Sequence, residues 1–321
     1  MSDVVKKLVR CTGLSERDVR IIISNAHKRY KVYYIKKKSG GRREIAQPSA
    51  EVKFLQRAFV EMFGKCMPVH EAATAYRTGL SIADNAGRHT QSGPILKLDF
   101  TSFFPSIKGG DWHKYCRDRG IFEREEDILL STALLFRTKP NGTVYRLSIG
   151  APSSPLVSNA MMYDFDQLTA EMCQREEVIY TRYADDLTFS AKRTGYLVNI
   201  ERNIKNTLRS MEYPRLYINN RKTVLATTKY GRKVTGLVLT NEGGVSVGRE
   251  RKRLVRAQLN HARHGDMTPE ELSRLAGMLA FIKGVEPEFI ARMANKYGET
   301  LLKEVFSASK YGEQSPHPTR R

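Results

Sequence analysis

Residues 179–191 read IYTRYADDLTFSA, two β-rich runs around the adjacent acids Asp185 and Asp186. Neighbouring carboxylates repel and Asp forms strands poorly, so this stretch does not fold as one unbroken strand. It predicts a hairpin, with strands over 177–182 and 187–191 and both acids at the tip. A turn needing only tight geometry would more naturally carry Asn-Gly or Asp-Gly. The acids therefore suit a cation, the plain alternative being a solvated acidic turn.

The surrounding charge sharpens this. The 321 residues carry 54 Lys+Arg and 34 Asp+Glu, net +20, with a pI near 9.8. The default partner is a polyanion, nucleic acid before anionic membrane. Among successive blocks of fifty, residues 151–200 alone are negative, at −3, while 1–50 carry +9 and 201–250 carry +6. A chain that binds a polyanion has little use for acids nearby unless they hold metal ions.

Hydrophobic residues at 40% and charged residues at 27% give an ordinary globular balance, which excludes wholesale disorder. The length suits about two compact units or one elongated enzyme. No apolar run approaches the ~18 residues of a membrane span, and the N-terminus lacks a signal-peptide core. Cys11, Cys66, Cys116 and Cys173 show no CxxC spacing, and read as buried free thiols of a reducing cytoplasm.

Along the chain, 2–10 and 15–27 read as helices, with Ser15 and Asp18 as a variant capping box. Residues 31–37 and the RREIAQP segment read as a hairpin around Ser39-Gly40-Gly41, its tip crowded by Lys36, Lys37, Lys38, Arg42 and Arg43. Helices are expected over 51–64, 123–137 and from Pro155 to about 172, and a strand over 95–99. A further hairpin joins 233–240 to 245–248, helices run from 249 to about 305, and the tail from about 307 is expected to be disordered.

Asp99 ends the apolar strand of ILKLDFTSFFPSI, an unusual place for a carboxylate unless it caps the next turn or has a partner. With Asp185 and Asp186 on neighbouring strands, three hard oxygen donors could bind two Mg²⁺ ions and share them with substrate phosphates.

Tyr183-Ala184-Asp185-Asp186 resembles the catalytic box of reverse transcriptases, and other segments resemble the bacterial retron group. Asn85-Ala86-Gly87-Arg88-His89 matches its NAxxH signature and Val234-Thr235-Gly236 its VTG signature. LDFTSFFPSI (98–107), GAPSSP (150–155) and INNRKT (218–223) resemble further polymerase motifs, in family order across roughly 30–250. The resemblance implies an α+β right-hand polymerase without an RNase H domain: fingers 1–94, palm 95–245 with a fingers insertion at about 108–145, thumb 246–306 and a tail 307–321.

It also implies roles. Asp99, Asp185 and Asp186 would bind two Mg²⁺, with the Phe100 carbonyl as a further ligand. Phe104 would be the steric gate against a 2′-hydroxyl, although Phe103 and Phe104 also suit the core. Arg43, with Lys36 as a second clamp, would hold the triphosphate of a dNTP. Lys222 would be the general acid for pyrophosphate. Gly150 would allow close backbone approach of substrate, while Ile149 stands where the family often has Gln. Asn85 and His89 would be either a hydrogen-bonded structural pair or an RNA contact, and Thr235 an RNA contact.

A helix from 249, projected at ~100° per residue, places Arg249, Lys252, Arg253, Arg256 and Arg263 in one sector, apart from Leu254, Val255 and Leu259. Such a basic stripe suits a phosphate backbone.

The implied partners are a cognate noncoding RNA (msr-msd), serving as template and 2′-OH primer, its branched msDNA product, dNTPs, an external RNase H, and an effector or toxin protein used in antiphage defence. The implied location is the cytoplasm, without a membrane. The rival readings are a ribonucleoprotein scaffold that restrains an effector and an intron-type reverse transcriptase.

Overall fold

A computed structural model describes residues 2–37 and 40–308. The N-terminal elements are α1 (Asp3–Thr12), α2 (Glu16–Ala26), β1 (Tyr30–Lys36), β2 (Arg42–Pro48), α3 (Ala50–Phe63) and α4 (Ile82–Gly87). The middle of the chain adds β3 (Ile95–Asp99), α5 (Phe103–Ser106), α6 (Gly109–Asp118), α7 (Glu125–Leu135), α8 (Ser154–Met161), α9 (Tyr163–Arg175), β4 (Ile179–Tyr183), β5 (Asp186–Ser190) and α10 (Ile200–Ser210). Then follow β6 (Val224–Ala226), β7 (Arg232–Val234), β8 (Leu237–Leu239), β9 (Val245–Ser246), α11 (Arg249–His264), α12 (Pro269–Val285), α13 (Pro287–Tyr297) and α14 (Glu299–Ala308).

The first compact unit joins 2–80 to 94–225. Its first two helices start where side chains satisfy free backbone donors. The Ser15 hydroxyl accepts from the Asp18 N–H at 3.1 Å and donates to the Asp18 carboxylate at 2.6 Å, closing the end of α2. The buried Asp127 carboxylate accepts from the Val4 N–H at 2.8 Å and so caps α1 from α7. β1 and β2 pair antiparallel from Tyr30↔Pro48 to Lys36↔Arg42, while Lys38 and Ser39 of the expected tip lie outside the described residues.

The central sheet has the order β4-β5-β3-β6. β3 pairs antiparallel with β5 from Ile95↔Ser190 to Asp99↔Asp186, and β4 pairs with β5 from Ile179↔Ser190 to Tyr183↔Asp186. Aromatic rings fill the core behind it: Phe100 stacks on Phe103 at 5.5 Å and meets Phe165 of α9 edge-on at 5.7 Å. Burying each such ring contributes about 2–3 kcal/mol. The single helix expected from Pro155 to about 172 is in fact two, α8 and α9, separated at Met162.

The second unit joins 81–93 to 226–308. Residues 81–93 and 226–245, placed by sequence with the fingers and palm, fold here with the C-terminal helices. α4 packs on β8, and Arg232 of β7 donates to the carbonyls of Ser92, Gly93 (3.0 Å) and Thr240 (3.0 Å). The strand expected over 233–240 is broken, because Thr235 and Gly236 both take positive φ (48° and 80°) and turn β7 back into β8. Thr268 and Glu271 form a capping box for α12, and Pro269 and Pro287 occupy first-turn positions that need no N–H. Ser307 and Ala308, expected in the tail, close α14, and the rest of that expected tail, 309–321, lies outside the described residues.

Cys116 and Cys173 are buried free thiols as expected, but Cys11 is half-buried and Cys66 exposed. No helix among the described residues is long and apolar enough to cross a membrane.

Arg232→Met would leave three carbonyls without their donor, at a cost of about 2–3 kcal/mol. Hydrogen exchange is expected to speed up in 81–93 and 232–246 while β3 and β5 stay protected.

Candidate active site

β3 and β5 end side by side, so Asp99 and Asp186 face each other across the ladder. Only Asp185 lies in the loop after β4; Asp186, also expected at the tip, is the first residue of β5. Ala184 completes the turn with φ 57°, a conformation rarely adopted by a residue with a side chain. Such a residue persists only where its surroundings over-determine it.

Arg182 supplies that restraint. Its side chain is fully buried and donates to both Asp166 oxygens, with Nε at 2.8 and 3.1 Å and Nη2 at 2.6 Å. Nη1 donates to Asn159 Oδ1 at 3.0 Å and to the Ala184 carbonyl at 3.2 Å. The Tyr180 hydroxyl completes the cluster on Asp166 at 2.8 Å. The Arg182 backbone works too: its N–H donates to Ala72 and its carbonyl accepts from Thr74, strapping 72–74 along β4. One buried cation thus fixes the turn, two helices and an incoming loop.

A second set of bonds fixes Asp99. The Asn219 N–H donates to the Asp99 carbonyl at 2.7 Å, and the Thr101 N–H to the Tyr217 carbonyl at 2.8 Å. The Phe100 N–H donates to the Asp185 carbonyl at 3.1 Å, which ties the ends of β3 and the turn together. The segment 217–222 so placed delivers Lys222, whose Nζ donates to both Asp99 oxygens at 2.8 and 2.7 Å.

The three acids are electrostatically costly. Burial, then the charge of Asp99, pushes the Asp185 carboxyl up, with Lys222 and Arg43 opposing. Asp186 is pushed up to about 6 by burial first, then by Asp185, a hydrogen bond with Asp99 and the Asp99 charge. Among the described residues no group of three His, Cys, Asp or Glu side chains stands ready-made as a metal cage. The donor chemistry nevertheless fits Mg²⁺: hard carboxylate oxygens that repel one another, one already drawn to a cation, Lys222.

On the approach to these acids, Arg43 is exposed on β2 and lies within electrostatic reach of Asp185. Lys36 ends β1 opposite Arg42, exposed at the hairpin end. Phe103 is the buried core aromatic, while Phe104 is half-buried and faces Tyr76 at 6.4 Å. Gly150 packs closely against β2. At φ 119°, a Cβ there would lie 2.9 Å from the Ala46 carbonyl. The Ala46 N–H donates to Ile149 at 2.8 Å in the same contact, which fixes the strand carrying Arg43.

Tyr76 is a site residue that sequence reasoning missed. It has φ 62°, is 55% exposed, and feels the charges of Asp185 and Arg43. Asn159 Nδ2 holds the preceding Ala75 carbonyl at 3.0 Å. Nothing in ATAYRTG signals this by periodicity. Arg182 was also missed, its one signal being a cation two residues from Tyr180 and hence on the same strand face.

The remaining candidates lie in the second unit. Asn85 and His89 are fully buried and offer RNA no surface; burial pulls His89 down to about 3, so its imidazole is neutral. Thr235 spends its hydroxyl on the Ile82 carbonyl at 3.1 Å. Along α11, Arg249, Arg253, Arg256 and Arg263 are exposed, whereas Lys252 leaves the stripe and pairs with Glu286.

Residues 35–239 match the family described as reverse transcriptase (RNA-dependent DNA polymerase). The retron Ec83 reverse transcriptase of Escherichia coli is 38% identical over 286 residues, 88% of this chain and 91% of that protein. The chain belongs to the retron reverse transcriptases. Two further Escherichia coli relatives agree. The retron Ec86 enzyme is 30% identical (91% of this chain, 90% of that one) and the retron Ec73 enzyme 32% (84% and 88%). Among solved structures, a Candida albicans telomerase aligns at TM-score 0.47 and 13% identity, over 87% of this chain and 61% of that one, too remote to add to the assignment. A retron reverse transcriptase is an RNA-directed DNA polymerase, and the mixed architecture with its antiparallel central sheet is that of the right-hand fold.

Asp186 titrates near 6 when folded, above the ~4 of an unfolded Asp. A raised carboxyl stabilises the fold fully below the unfolded value and loses that contribution as pH rises through the folded one. Discounted for partial exposure, the loss between pH 4 and 7 is about 1–2 kcal/mol. In EDTA-treated protein, urea unfolding is expected to show this decline in wild type and a flatter profile in Asp186→Asn, which gains stability at pH 7.

Proposed function

We propose that this reverse transcriptase copies part of a structured cognate noncoding RNA from a 2′-hydroxyl within it. The product is branched, RNA-linked msDNA. The observation that supports nucleotidyl transfer most strongly is the meeting of Asp99, Asp185 and Asp186 at adjoining strand ends beside Lys222. These acids, with the Phe100 carbonyl, would hold two Mg²⁺. Bound there, the ions would stabilise charge on the attacking and leaving oxygens.

The chain's own groups take the remaining roles. Arg43, aided by Lys36, grips the dNTP triphosphate, since a guanidinium makes paired bonds to phosphate oxygens. The rings of Phe104 and Tyr76 wall the sugar and exclude a 2′-hydroxyl. The primer hydroxyl oxygen bonds to the α-phosphorus and releases its proton to solvent, the bond from the α-phosphorus to the oxygen bridging to the β-phosphate breaks, and Lys222 Nζ gives a proton to the departing pyrophosphate and regains one from solvent. Arg249, Arg253 and Arg256 track the phosphate backbone. Asn85, His89 and Thr235 shape the region that recognises the RNA by holding α4 and the β7–β8 turn. In this reading the unit of 2–80 and 94–225 supplies fingers and palm, and helices α11–α14 the thumb. An external RNase H trims the template, and the product works with an effector protein in antiphage defence.

Primer extension on an RNA template tests the catalytic assignment. Asp185→Asn is expected to lower single-turnover dNTP incorporation by about a thousandfold, equivalent to about 4 kcal/mol. RNA affinity should stay within about threefold of wild type. Incorporation within tenfold of wild type would contradict the assignment.

A further inference from the structure

The segment that brings Lys222 to Asp99 starts at a second cationic feature. Pro105, Ser106, Lys108, Arg146, Arg215 and Tyr217 line a cleft of about 520 Å³. That lies within the range of small-molecule sites, roughly 300–1,000 Å³. Among the described residues no ion pair engages Lys108, Arg146 or Arg215. Arg146 Nε is buried without a hydrogen-bond partner, while bridges to Lys108 and Arg137 fix the Arg146 backbone on both sides. A buried donor left without an acceptor is destabilising, and an anion that reached it would supply the missing acceptor.

Glu212 lies nearby, its carbonyl accepting from Arg215 Nε at 3.2 Å and its carboxylate paired with Lys114, and so does Asp111. Its carboxylate accepts the Lys108 N–H at 2.8 Å and feels the charges of Lys108, Lys114 and Arg215. It offsets part of the charge and leaves an excess of cations. Tyr217 is 71% exposed even though its carbonyl is pinned by Thr101, and its ring offers an aromatic face. Arg215 and Tyr217 also border a neighbouring cavity of about 330 Å³.

We propose that this cleft is a second polyphosphate site, separate from the Arg43 clamp, that binds pyrophosphate or the triphosphate of a nucleotide. Three cations free of ion pairs, Lys108, Arg215 and Arg146 with its orphaned Nε, match a compact polyanion better than an extended strand, whose charges are spaced along its backbone. The site's place in the reaction rests on the polymerase reading above; its binding of anions does not.

Calorimetry on the full chain in EDTA, with pyrophosphate and with dATP, tests this without turnover. Lys108→Gln/Arg215→Gln changes two exposed side chains, so folding is kept, and should weaken pyrophosphate binding at least tenfold. Arg146→Gln should do so independently. Arg43→Gln should leave a pyrophosphate site of wild-type affinity. Tyr217→Ala distinguishes the two sources: a loss of dATP affinity alone assigns a nucleotide, and unchanged affinity for both assigns pyrophosphate. Unchanged pyrophosphate affinity in the charge variants would overturn the proposal. So would a tenfold loss of single-stranded RNA affinity in those variants with pyrophosphate binding intact.

Discussion

The turn that carries Asp185 depends on a buried ion pair. Arg182 and Asp166 are both fully buried, and every side-chain nitrogen of Arg182 donates to a named acceptor. Taking two charges out of water costs several kcal/mol per ion, which only good geometry and further hydrogen bonds offset. Here the offset comes from Asn159, Tyr180 and the Ala184 carbonyl, groups that also set the site's shape. Stability alone could be had from well-packed apolar side chains. The pair adds a fixed position for a turn whose Ala184 conformation is unfavourable by itself.

The site is a balance of like and unlike charges. Asp99 raises the proton affinity of Asp185, both raise that of Asp186, and Lys222 is the cation within hydrogen-bond reach of Asp99. Around them the first unit offers exposed cations on β2 and in the cleft beside Tyr217. The positive charge is thus divided between exposed cations on β2 and beside Tyr217 in one unit and exposed arginines along α11 in the other.

Much of this was legible in the sequence because it follows local rules. The β1–β2 hairpin, the capped start of α2 and the strand ending at Asp99 follow from alternation, capping chemistry and turn residues. The acids stood out because charge at a strand end is improbable without a purpose. What stayed hidden depends on contacts distant in sequence. Arg182 reads as one more basic residue until Asp166 and Asn159 are brought to it. That Gly150 meets Ala46 of β2 is visible only in the fold. Tyr76 is placed by a strap to β4 rather than by any pattern of its own. Asn85 and His89 carry polar side chains that suggest contact with RNA, yet the fold buries both. Lys252 falls on the basic face of α11 by angle, and only the fold shows that Glu286 claims it.

The most direct test separates the structural part of the buried pair from its part in catalysis. Unfolding free energy and single-turnover dNTP incorporation would be measured for Arg182→Met, Asp166→Leu and the double variant. Each single change leaves one buried charge uncompensated and should cost about 3–5 kcal/mol. The double change removes both charges and should recover most of that stability. Incorporation should nevertheless stay at least tenfold below wild type, because the bond from Arg182 to the Ala184 carbonyl is gone. Recovery of the rate along with stability would show that the pair only fills the core, and would contradict the account.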